Sequence, residues 1–334
     1  MTLRRRPEMK RLLFFSTLKT PFIEEDYRIL VRHCRVERIA DRGMRAIFRL
    51  PGGVLRNQVS LAWFGSVYAG SMVFLARLFK RKSIVIVAGV DASKDREINY
   101  GIWLNPWKSI FVRYAFRNAD RVLVVDPFLQ REVIRLAGYP GLNILNVPFG
   151  FDTTIWTPGL AKEDRVVTVA SCEDESRLRK KGLDKLFEAA RMLPEIQFLI
   201  IGIHERFLAT LRSRIPSNVD VISYVPREGI LPYLQRAKVY CQPSFTEVLP
   251  NALCEAMACG CIPVGTIAGG IPTAIGETGY LVPYGDVPAL VRALQEAMAR
   301  PSSKGMEARR RIETEFSLER RDAALAGVVR ELMT

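Results

Sequence analysis

The sequence predicts two α/β domains in tandem, each built on a doubly wound sheet of parallel strands. Short, continuous apolar runs alternate with helical patterns through almost the whole chain. Buried parallel strands have this appearance, and crossover helices must connect them. The length of 334 residues suits two domains of ordinary size, and 49% hydrophobic with 25% charged residues is a normal globular composition.

Ten apolar runs are predicted to be strands, five in each half of the chain. They are RLLFFS, QVSLAWFG, SIVIVAG, RVLVVD and NILNVPF in the first half, and RVVTVAS, IQFLIIG, VDVISYV, KVYCQPS and CIPVGT in the second. Segments such as PFLQREVIRLAG and GLDKLFEAARMLP have helical periodicity between them. This alternation gives each half the order of a doubly wound, Rossmann-like sheet.

One apolar run admits a second interpretation. Residues 59–76 form an uncharged stretch of 18 residues, which is at the lower limit for a membrane-spanning helix. Its two glycines and three serines favour a strand followed by a helix instead, and we predict that arrangement.

The domain boundary is predicted near VPFGFDTTIWTPG, residues 147–159, where prolines, glycines and threonines interrupt the periodicity. We therefore assign residues 1–150 to an N-terminal domain and 151–315 to a C-terminal domain. Residues 316–334 form a terminal helix that could pack back on the first domain. Ligands of such sheets bind at the carboxyl ends of the strands, so two facing domains are expected to share a ligand-binding cleft.

The net charge of +14 lies entirely in the first half. Residues 1–150 contain 26 Lys and Arg against 12 Asp and Glu, whereas residues 151–334 contain 23 of each kind. A one-sided basic surface favours an anionic membrane, a phosphorylated substrate or nucleic acid, although it can also be a solvated surface without a partner. We exclude nucleic acid, because no nucleic-acid-binding module or aromatic-interleaved basic stripe is present.

The six cysteines and two histidines lack the spacing of metal ligands. We therefore predict no zinc site, no disulfide framework and reduced thiols in the cytoplasm. The start of the chain, MTLRRRPEMKRLLFF, has too short an apolar run for a cleavable signal. The predicted location is cytoplasmic, extending to a peripheral position on the inner face of the membrane through the basic half.

Two glutamates stand eight positions apart in the otherwise small and apolar segment TEVLPNALCEAMACG. Pro250 suits the first turn of a helix and Gly260 its end, so Glu247 precedes the helix and Glu255 lies within it. The carboxylates would accept hydrogen bonds from hydroxyl groups of an elongated ligand, and the helix start would favour an anion. The alternative is a Glu247 that interacts with the helix dipole and a Glu255 that faces solvent.

Three further segments follow predicted strands. Arg177, Arg179 and Lys181 lie after RVVTVAS, where they can bind a diphosphate or form a solvated basic loop. The paired glycines Gly269 and Gly270 lie after CIPVGT and would allow close approach of a ligand. Asp91 follows SIVIVAG, where it is either a functional carboxylate or a helix or turn cap.

Taken together, these segments resemble the retaining glycosyltransferases of family 4, which have the GT-B fold. The resemblance covers residues 166–286 and rests on KKGLDKLFEAA, PSFTEVLPNALCEAMACGCIPV, AGGIP and TGYLVPYGD in that order. Glu247 and Glu255 match the Glu-x7-Glu motif of the family. The resemblance implies transfer of a sugar from a nucleotide-diphosphate sugar to an acceptor hydroxyl with retention of configuration. The basic charge of the first half favours a sugar or lipid-linked acceptor at an anionic membrane, as in cell-envelope or surface polysaccharide or glycolipid synthesis.

The family also implies roles for individual residues. Glu247 would lie at the donor sugar and Glu255 would bind the ribose hydroxyls, while Lys181, with Arg177 or Arg179, would hold the diphosphate. Such enzymes usually need no metal, so no metal or other cofactor is expected. The remaining donor-binding positions implied by the motifs are Leu249, Pro250, Asn251, Gly269 and Gly270.

The chain departs from the family pattern in its first half. Family members often carry a histidine in a first-domain loop near the sugar, and Asp91 is the residue that would replace it here. Thr273 stands where an acid is usual, and Phe149 where asparagine is usual. Two alternatives therefore stay open, a sugar-nucleotide epimerase of the same fold and a non-catalytic sugar-nucleotide-binding subunit.

Overall fold

The computed structural model describes residues 10–96, 99–159 and 161–334, which divide into two compact units. The first unit contains the described residues up to Phe149 together with Glu319–Thr334, and the second contains Gly150–Leu318. The basic start of the sequence, including Arg4, Arg5 and Arg6, and the short run MTLRRRPEM as a whole lie outside the described residues.

In the described part of the first unit, six parallel strands form one sheet in the order β2-β1-β3-β4-β5-β6. The strands are β1 (Arg11–Phe15), β2 (Arg35–Ile39), β3 (Val59–Trp63), β4 (Lys82–Val87), β5 (Arg121–Val124) and β6 (Ile144–Asn146). The connecting helices are α1 (Pro21–His33), α2 (Met44–Arg56), α3 (Val67–Leu78), α4 (Pro106–Asn118) and α5 (Pro127–Ala137).

In the described part of the second unit, another six parallel strands form a sheet in the order β12-β11-β10-β7-β8-β9. The strands are β7 (Glu163–Cys172), β8 (Gln197–Ile203), β9 (Val219–Ile222), β10 (Ala237–Gln242), β11 (Ile262–Thr266) and β12 (Tyr280–Val282). The helices are α6 (Glu175–Lys180), α7 (Leu183–Arg191), α8 (Glu205–Leu211), α9 (Arg227–Arg236), α10 (Asn251–Ala258), α11 (Ile271–Ile275), α12 (Val287–Ala299) and α13 (Gly305–Glu315). The chain ends in α14 (Leu318–Leu332).

The predicted fold class of two doubly wound α/β domains is confirmed, and all ten predicted strands are present. Sequence reasoning missed β2 and β12, which lie at sheet edges. Neither is a continuous buried run, since β2 has the sequence RVERI and β12 has only three residues. An edge strand with one exposed side does not show the Val/Ile/Leu pattern of a central parallel strand.

The uncharged stretch of residues 59–76 divides into β3 and most of α3, as predicted. All five residues of β3 are buried in the sheet. Across the described residues, no helix has both the length and the apolar character that crossing a bilayer requires.

Helix α2 was not predicted, because its sequence MRAIFRLPGGVLR contains a proline and two glycines. Packing explains why a helix forms here. A Cβ at Gly53 would lie 3.0 Å from the Ile39 side chain and 3.2 Å from that of Leu13, so glycine lets the helix approach the sheet closely. Tertiary packing of the buried face of α2 therefore outweighs the poor helix propensity.

A buried ion pair joins α14 to α1 within the first unit. Arg321 donates from Nε and one terminal nitrogen to the two carboxylate oxygens of Asp26 on α1, at 2.9 and 2.6 Å. Both side chains are almost fully buried, and Arg321 also donates to the carbonyl oxygens of Val147 and Pro148. This geometry satisfies both charges, which is the condition for burying an ion pair without a large penalty.

We expect Asp26→Asn to lower the free energy of unfolding by about 3–5 kcal/mol, because Arg321 would remain buried without a counter-charge. Urea or guanidinium unfolding measures this change. The matched control is Arg28→Ala on the same helix, since Arg28 forms an exposed pair with Glu25 and its loss should cost less than about 1 kcal/mol. Equal losses in the two variants would contradict the structural importance of the buried pair.

Candidate functional site

The two strands at which the second sheet reverses its order carry the predicted site residues. Strands β7 and β10 are neighbours, but β7 connects onward to β8 on one side and β10 to β11 on the other. The segments that leave their carboxyl ends diverge, and this is where ligands bind in open α/β sheets. Lys181 follows β7, and Glu247 follows β10.

Backbone contacts hold these two segments together. Phe245 N–H donates to the carbonyl oxygen of Lys180 at 2.8 Å. Gly182 has a φ of +64°, and a Cβ there would lie 1.9 Å from the carbonyl oxygen of Pro243. Glycine is therefore required at position 182 for the turn before α7 to lie against the segment after β10.

Lys181 and Glu247 meet in an ion pair. Lys181 Nζ lies 2.6 Å from Glu247 Oε1, with 19% and 16% of the two side chains exposed. The same carboxylate oxygen accepts hydrogen bonds from Ser244 Oγ at 3.1 Å and Gln242 Nε2 at 3.4 Å. A chain of hydrogen bonds from Tyr240 to Gln242 and from Gln242 to Ser244 supports this arrangement from the buried interior of β10.

The paired glycines clamp the backbone of Glu247. Gly270 N–H donates to the carbonyl oxygen of Glu247 at 3.0 Å. Gly269 has a φ of +54°, and a Cβ there would lie 1.8 Å from the same oxygen. The two glycines therefore fix the position of the backbone that carries Glu247. This role is separate from any contact that the glycines make with a ligand.

The residues between Glu247 and α10 form the helix start that the sequence predicts. Pro250 is the N-cap of α10 and supplies no side-chain acceptor for the first backbone N–H groups. Leu249 is buried and Asn251 is half-buried at the first helical position. Backbone N–H groups at such a helix start favour an anionic ligand.

Arg177 and Arg179 lie on α6, a short helix that was not predicted from the sequence. Asp174 caps this helix by accepting from the backbone N–H of Arg177 at 2.8 Å. The two side chains pair with local acids, Arg177 with Glu173 at 3.2 Å and Arg179 with Glu175 at 3.7 Å. Neither arginine joins the Lys181–Glu247 pair in the structure.

Glu255 is buried in α10, so the solvent-facing alternative is wrong. Its Oε1 accepts from Nε and a terminal nitrogen of Arg227 at 2.7 and 2.6 Å. The Arg227 guanidinium also lies over the ring of Trp156, 5.4 Å from its centre. Burial raises the pKa of Glu255 to about 7 from its ordinary value of 4.5, although Arg227 opposes the shift.

Sequence reasoning missed Arg227, which lies at the first residue of α9. It stands 28 positions before Glu255 in the chain, and nothing in the local sequence PREGI distinguishes it from a surface arginine. Its position shortly after the end of β9 is the signal that could have identified it, because strand ends are where ligands bind.

Asp91 lies in the first unit and is fully buried. Its carboxylate accepts backbone N–H bonds from Gly65, Ala88 and Gly89 at 2.8, 3.2 and 3.0 Å. Burial raises its pKa to about 6 against the effect of these bonds. These contacts join the segment after β3 to the segment after β4. This is the structural role of a turn cap, which was the alternative to a functional carboxylate. We therefore assign Asp91 no part in the chemistry proposed below.

Within the described residues, no three or more His, Cys, Asp or Glu side chains lie close enough together to share a metal ion. All six cysteines are buried, and none forms a disulfide. The side chains brought together at Glu247 are a lysine, a serine and a glutamine.

The fold and the site together define a class of protein. It is a doubly wound α/β protein in which a lysine–glutamate pair lies where the sheet reverses its strand order, between β7 and β10. Residues 163–300 match the family model of glycosyl transferases group 1. The resemblance predicted from the sequence is therefore confirmed for this segment.

Two relatives and one solved structure illustrate the match. The chain is 29% identical over 258 residues to alpha-maltose-1-phosphate synthase of Mycolicibacterium smegmatis, covering 67% of this chain and 65% of that protein. It is 29% identical over 286 residues to the amylovoran biosynthesis glycosyltransferase AmsK of Erwinia amylovora, covering 78% and 66%. The chain thus spans just under two thirds of these relatives.

The structure of Anabaena HepE in complex with UDP superposes with a TM-score of 0.76 at 14% identity, covering 97% of this chain and all of HepE. At this identity the likeness establishes the shared fold. The fold is the GT-B architecture that the sequence predicts.

We expect Gly269→Ala to destabilise the protein more than Gly285→Ala does. Both glycines have positive φ, but a Cβ at Gly285 meets nothing within 4 Å, whereas one at Gly269 collides with the Glu247 carbonyl. The Gly285 variant should lose about 1–2 kcal/mol through backbone strain alone. Chemical unfolding of both variants measures the difference, and equal losses would show that the contact with Glu247 is not restrictive.

The raised pKa of Glu255 predicts a pH-dependent stability. Between about pH 4.5 and 7 the folded protein holds a proton that the unfolded chain has released, so the free energy of unfolding falls as pH rises through this window. The loss should total about 3 kcal/mol, at about 1.4 kcal/mol for each pH unit. Urea unfolding should show a slope that is smaller in Glu255→Gln than in the native protein by about 1.4 kcal/mol for each pH unit. Buried Asp91, whose pKa is raised to about 6, keeps its own contribution to the slope in both proteins. An exposed-site control, Glu277→Gln, should keep the native slope, and parallel curves for all three proteins would refute the shift.

Proposed function

We propose that the protein is a retaining glycosyltransferase that takes its sugar from a nucleotide-diphosphate sugar. The observation that carries the proposal is the Lys181–Glu247 pair at the reversal between β7 and β10, where the sheet places ligands. The family match of residues 163–300 supports the same class of reaction.

Lys181 would hold the donor diphosphate and stabilise the charge that develops on it as the bond to the sugar breaks. Arg177 is the better of the two arginines as its companion. It stands four positions before Lys181, so the two residues lie on one side of α6, whereas Arg179 is offset by about half a turn. Binding of the diphosphate would replace the contacts of Arg177 with Glu173 and of Lys181 with Glu247.

Glu247 would lie at the donor sugar, beside the backbone of Leu249, Pro250 and Asn251. The clamp by Gly269 and Gly270 fixes its backbone, so the carboxylate remains in place when Lys181 turns toward a diphosphate. In this proposal the acceptor hydroxyl attacks on the face from which the diphosphate leaves. The carboxylate and neighbouring backbone oxygens stabilise positive charge on the sugar ring, and the cations replace a metal ion.

Glu255 would accept hydrogen bonds from the ribose hydroxyls of the donor. Its carboxylate is buried and has Arg227 as its charged partner, so two ribose hydroxyl groups would satisfy oxygen lone pairs that the protein leaves available. Arg227 stacks on Trp156 and would remain beside the bound ribose.

The acceptor side of the proposal rests on the first half of the chain. Its net charge of +14 favours a lipid-linked acceptor or an anionic membrane surface on the cytoplasmic side. The relative AmsK is named for amylovoran biosynthesis, which supports a role in surface polysaccharide or glycolipid synthesis.

The direct test is thermal stabilisation of the protein by a panel of nucleoside diphosphates. A nucleotide at about 100 times its dissociation constant should add roughly 2.7 kcal/mol to the stability. The effect should fall in Glu255→Ala and persist in Glu277→Ala, which removes an exposed carboxylate of the same unit. If no nucleotide stabilises the protein, the proposal fails.

Turnover then separates the reaction classes. With a donor that binds, Lys181→Gln should lower the rate of donor cleavage by about 10²–10³-fold, because a charge that stabilises the leaving group is lost. Lys185→Gln, on a neighbouring helix and paired with Glu188, is the matched control. Retained anomeric configuration in the transfer product, read by NMR, supports the proposal. An epimerised donor identifies the epimerase alternative, and binding without turnover identifies a non-catalytic subunit.

A further inference from the structure

Three helices of the first unit carry apolar side chains on their outer faces. On α2, Met44, Phe48, Pro51 and Leu55 recur at a spacing of three to four residues, while the opposite face is buried against the sheet. This spacing places them in one stripe along the solvent side of the helix. Phe48 is 75% exposed, so the stripe is not covered by the rest of the first unit.

The stripe continues on the two neighbouring helices, because α2 packs against α3 and α3 against α4. Trp107 and Ile110 of α4 are 54% and 63% exposed. We call the combined set the apolar surface. It consists of Met44, Ile47, Phe48, Leu55, Phe74, Leu78, Trp107, Ile110 and Phe111. Contiguous exposed apolar surface of this kind marks a binding site on a soluble protein.

A cavity of about 450 Å³ opens between the three helices beneath the apolar surface. Its lining is dominated by aliphatic and aromatic side chains, among them Ile47, Phe74 and Ile110. Ser71 also lines it, but its hydroxyl donates to the carbonyl oxygen of Val67 within α3. The cavity therefore offers a hydrocarbon environment and suits an alkyl chain better than a sugar or a nucleotide.

The three helices that carry the apolar surface are basic. Helices α2, α3 and α4 together contain seven Arg or Lys and no Asp or Glu. Two of the arginines pair with acids of other elements, Arg49 with Asp41 and Arg56 with Glu37, while Arg45 and Arg77 are exposed. Apolar side chains flanked by cations are the composition of helices that lie in the interface of an anionic bilayer.

We propose that α2, α3 and α4 form a membrane-binding surface for an anionic leaflet. The apolar side chains enter the boundary between headgroups and acyl chains, the flanking cations pair with lipid phosphates, and the cavity takes one acyl chain. A second copy of this chain is a poor occupant, since it would bring two acid-free basic faces together. The inference refines the membrane partner in the proposed function, but its test does not require donor binding.

Flotation with vesicles tests the surface. The protein should bind vesicles of phosphatidylcholine with phosphatidylglycerol and not vesicles of phosphatidylcholine alone. Binding should weaken as salt rises from about 0.1 to 1 M, because the Debye length falls from about 10 to 3 Å. Phe48→Gln and Ile110→Gln should each lower the partition coefficient about tenfold through lost apolar burial, and Arg45→Gln with Arg77→Gln should lower it in anionic vesicles.

Leu142→Gln is the matched control. Leu142 is 91% exposed in the turn before β6 of the same unit and lies outside the apolar surface, so its replacement should leave binding unchanged. Losses as large in this variant as in Phe48→Gln would overturn the assignment of the surface. Equal binding to the two vesicle types would also overturn it.

Trp107 provides an internal probe of insertion. It is exposed, while the other three tryptophans, Trp63, Trp103 and Trp156, are all buried. Vesicle binding should therefore shift the emission to shorter wavelength, and lipids brominated on the acyl chain should quench it. Both signals should disappear in Trp107→Phe.

Unchanged emission of vesicle-bound protein would show that the surface does not insert. A dimer that dissociates on Phe48→Gln, without vesicle binding, would assign the surface to self-association and overturn the proposal. Thermal stabilisation of the same variants by nucleoside diphosphates tests donor binding by the second unit independently of the membrane-binding surface. Vesicle binding without nucleotide binding would support this surface while the donor proposal fails.

Discussion

The site of the second unit depends on the reversal of strand order between β7 and β10. Adjacent parallel strands whose connections leave toward opposite sides cannot continue side by side, so their exit segments separate at the carboxyl edge of the sheet. The protein closes part of this gap with backbone contacts, through Gly182 against Pro243 and Gly269 against Glu247. Lys181 and Glu247 lie where the two exit segments separate, joined by their ion pair at 2.6 Å. The glycines of the motifs thus act first as spacers that let three segments approach one another.

The two glutamates of the Glu-x7-Glu pattern lie in different electrostatic environments, which suits them to different tasks. Glu247 is partly exposed and shares one oxygen among Lys181, Ser244 and Gln242. Glu255 is buried, and its pKa is raised to about 7. A carboxylate near its pKa at neutral pH gains most from a ligand that donates hydrogen bonds to it, since those bonds favour the charged form. Hydroxyl groups, rather than phosphates, meet that condition at Glu255.

Some strands and site residues can be predicted from the sequence, and others cannot. Central strands such as β4 and β11 are predictable because burial on both faces leaves a continuous apolar run. Lys181 and Glu247 are predictable because each follows such a run. The pairing of Arg227 with Glu255 is not predictable, since it arises from the packing of α9 beside α10, and the position of Arg227 after β9 indicates only that it lies near a strand end. The role of Asp91 was open for a related reason, because sequence does not reveal that three backbone N–H groups converge on a buried carboxylate.

In the first unit, too, the sequence does not reveal which apolar residues are exposed on the outer face. The apolar residues of α2 form one broad face opposite its arginines, so its sequence does not show where the core-facing part ends and the exposed part begins. Only the structure distinguishes Leu50 and Val54, which contact the core, from Phe48 and Leu55, which do not. Helices α2, α3 and α4 contain no acids, so part of the positive charge of the first half of the sequence is concentrated beside the apolar surface. A basic excess spread over a whole unit would give only weak, screened attraction to an anionic surface. On the proposed membrane-binding surface the cations lie around exposed apolar side chains, so attraction and insertion would occur at the same face and each would hold the other in position.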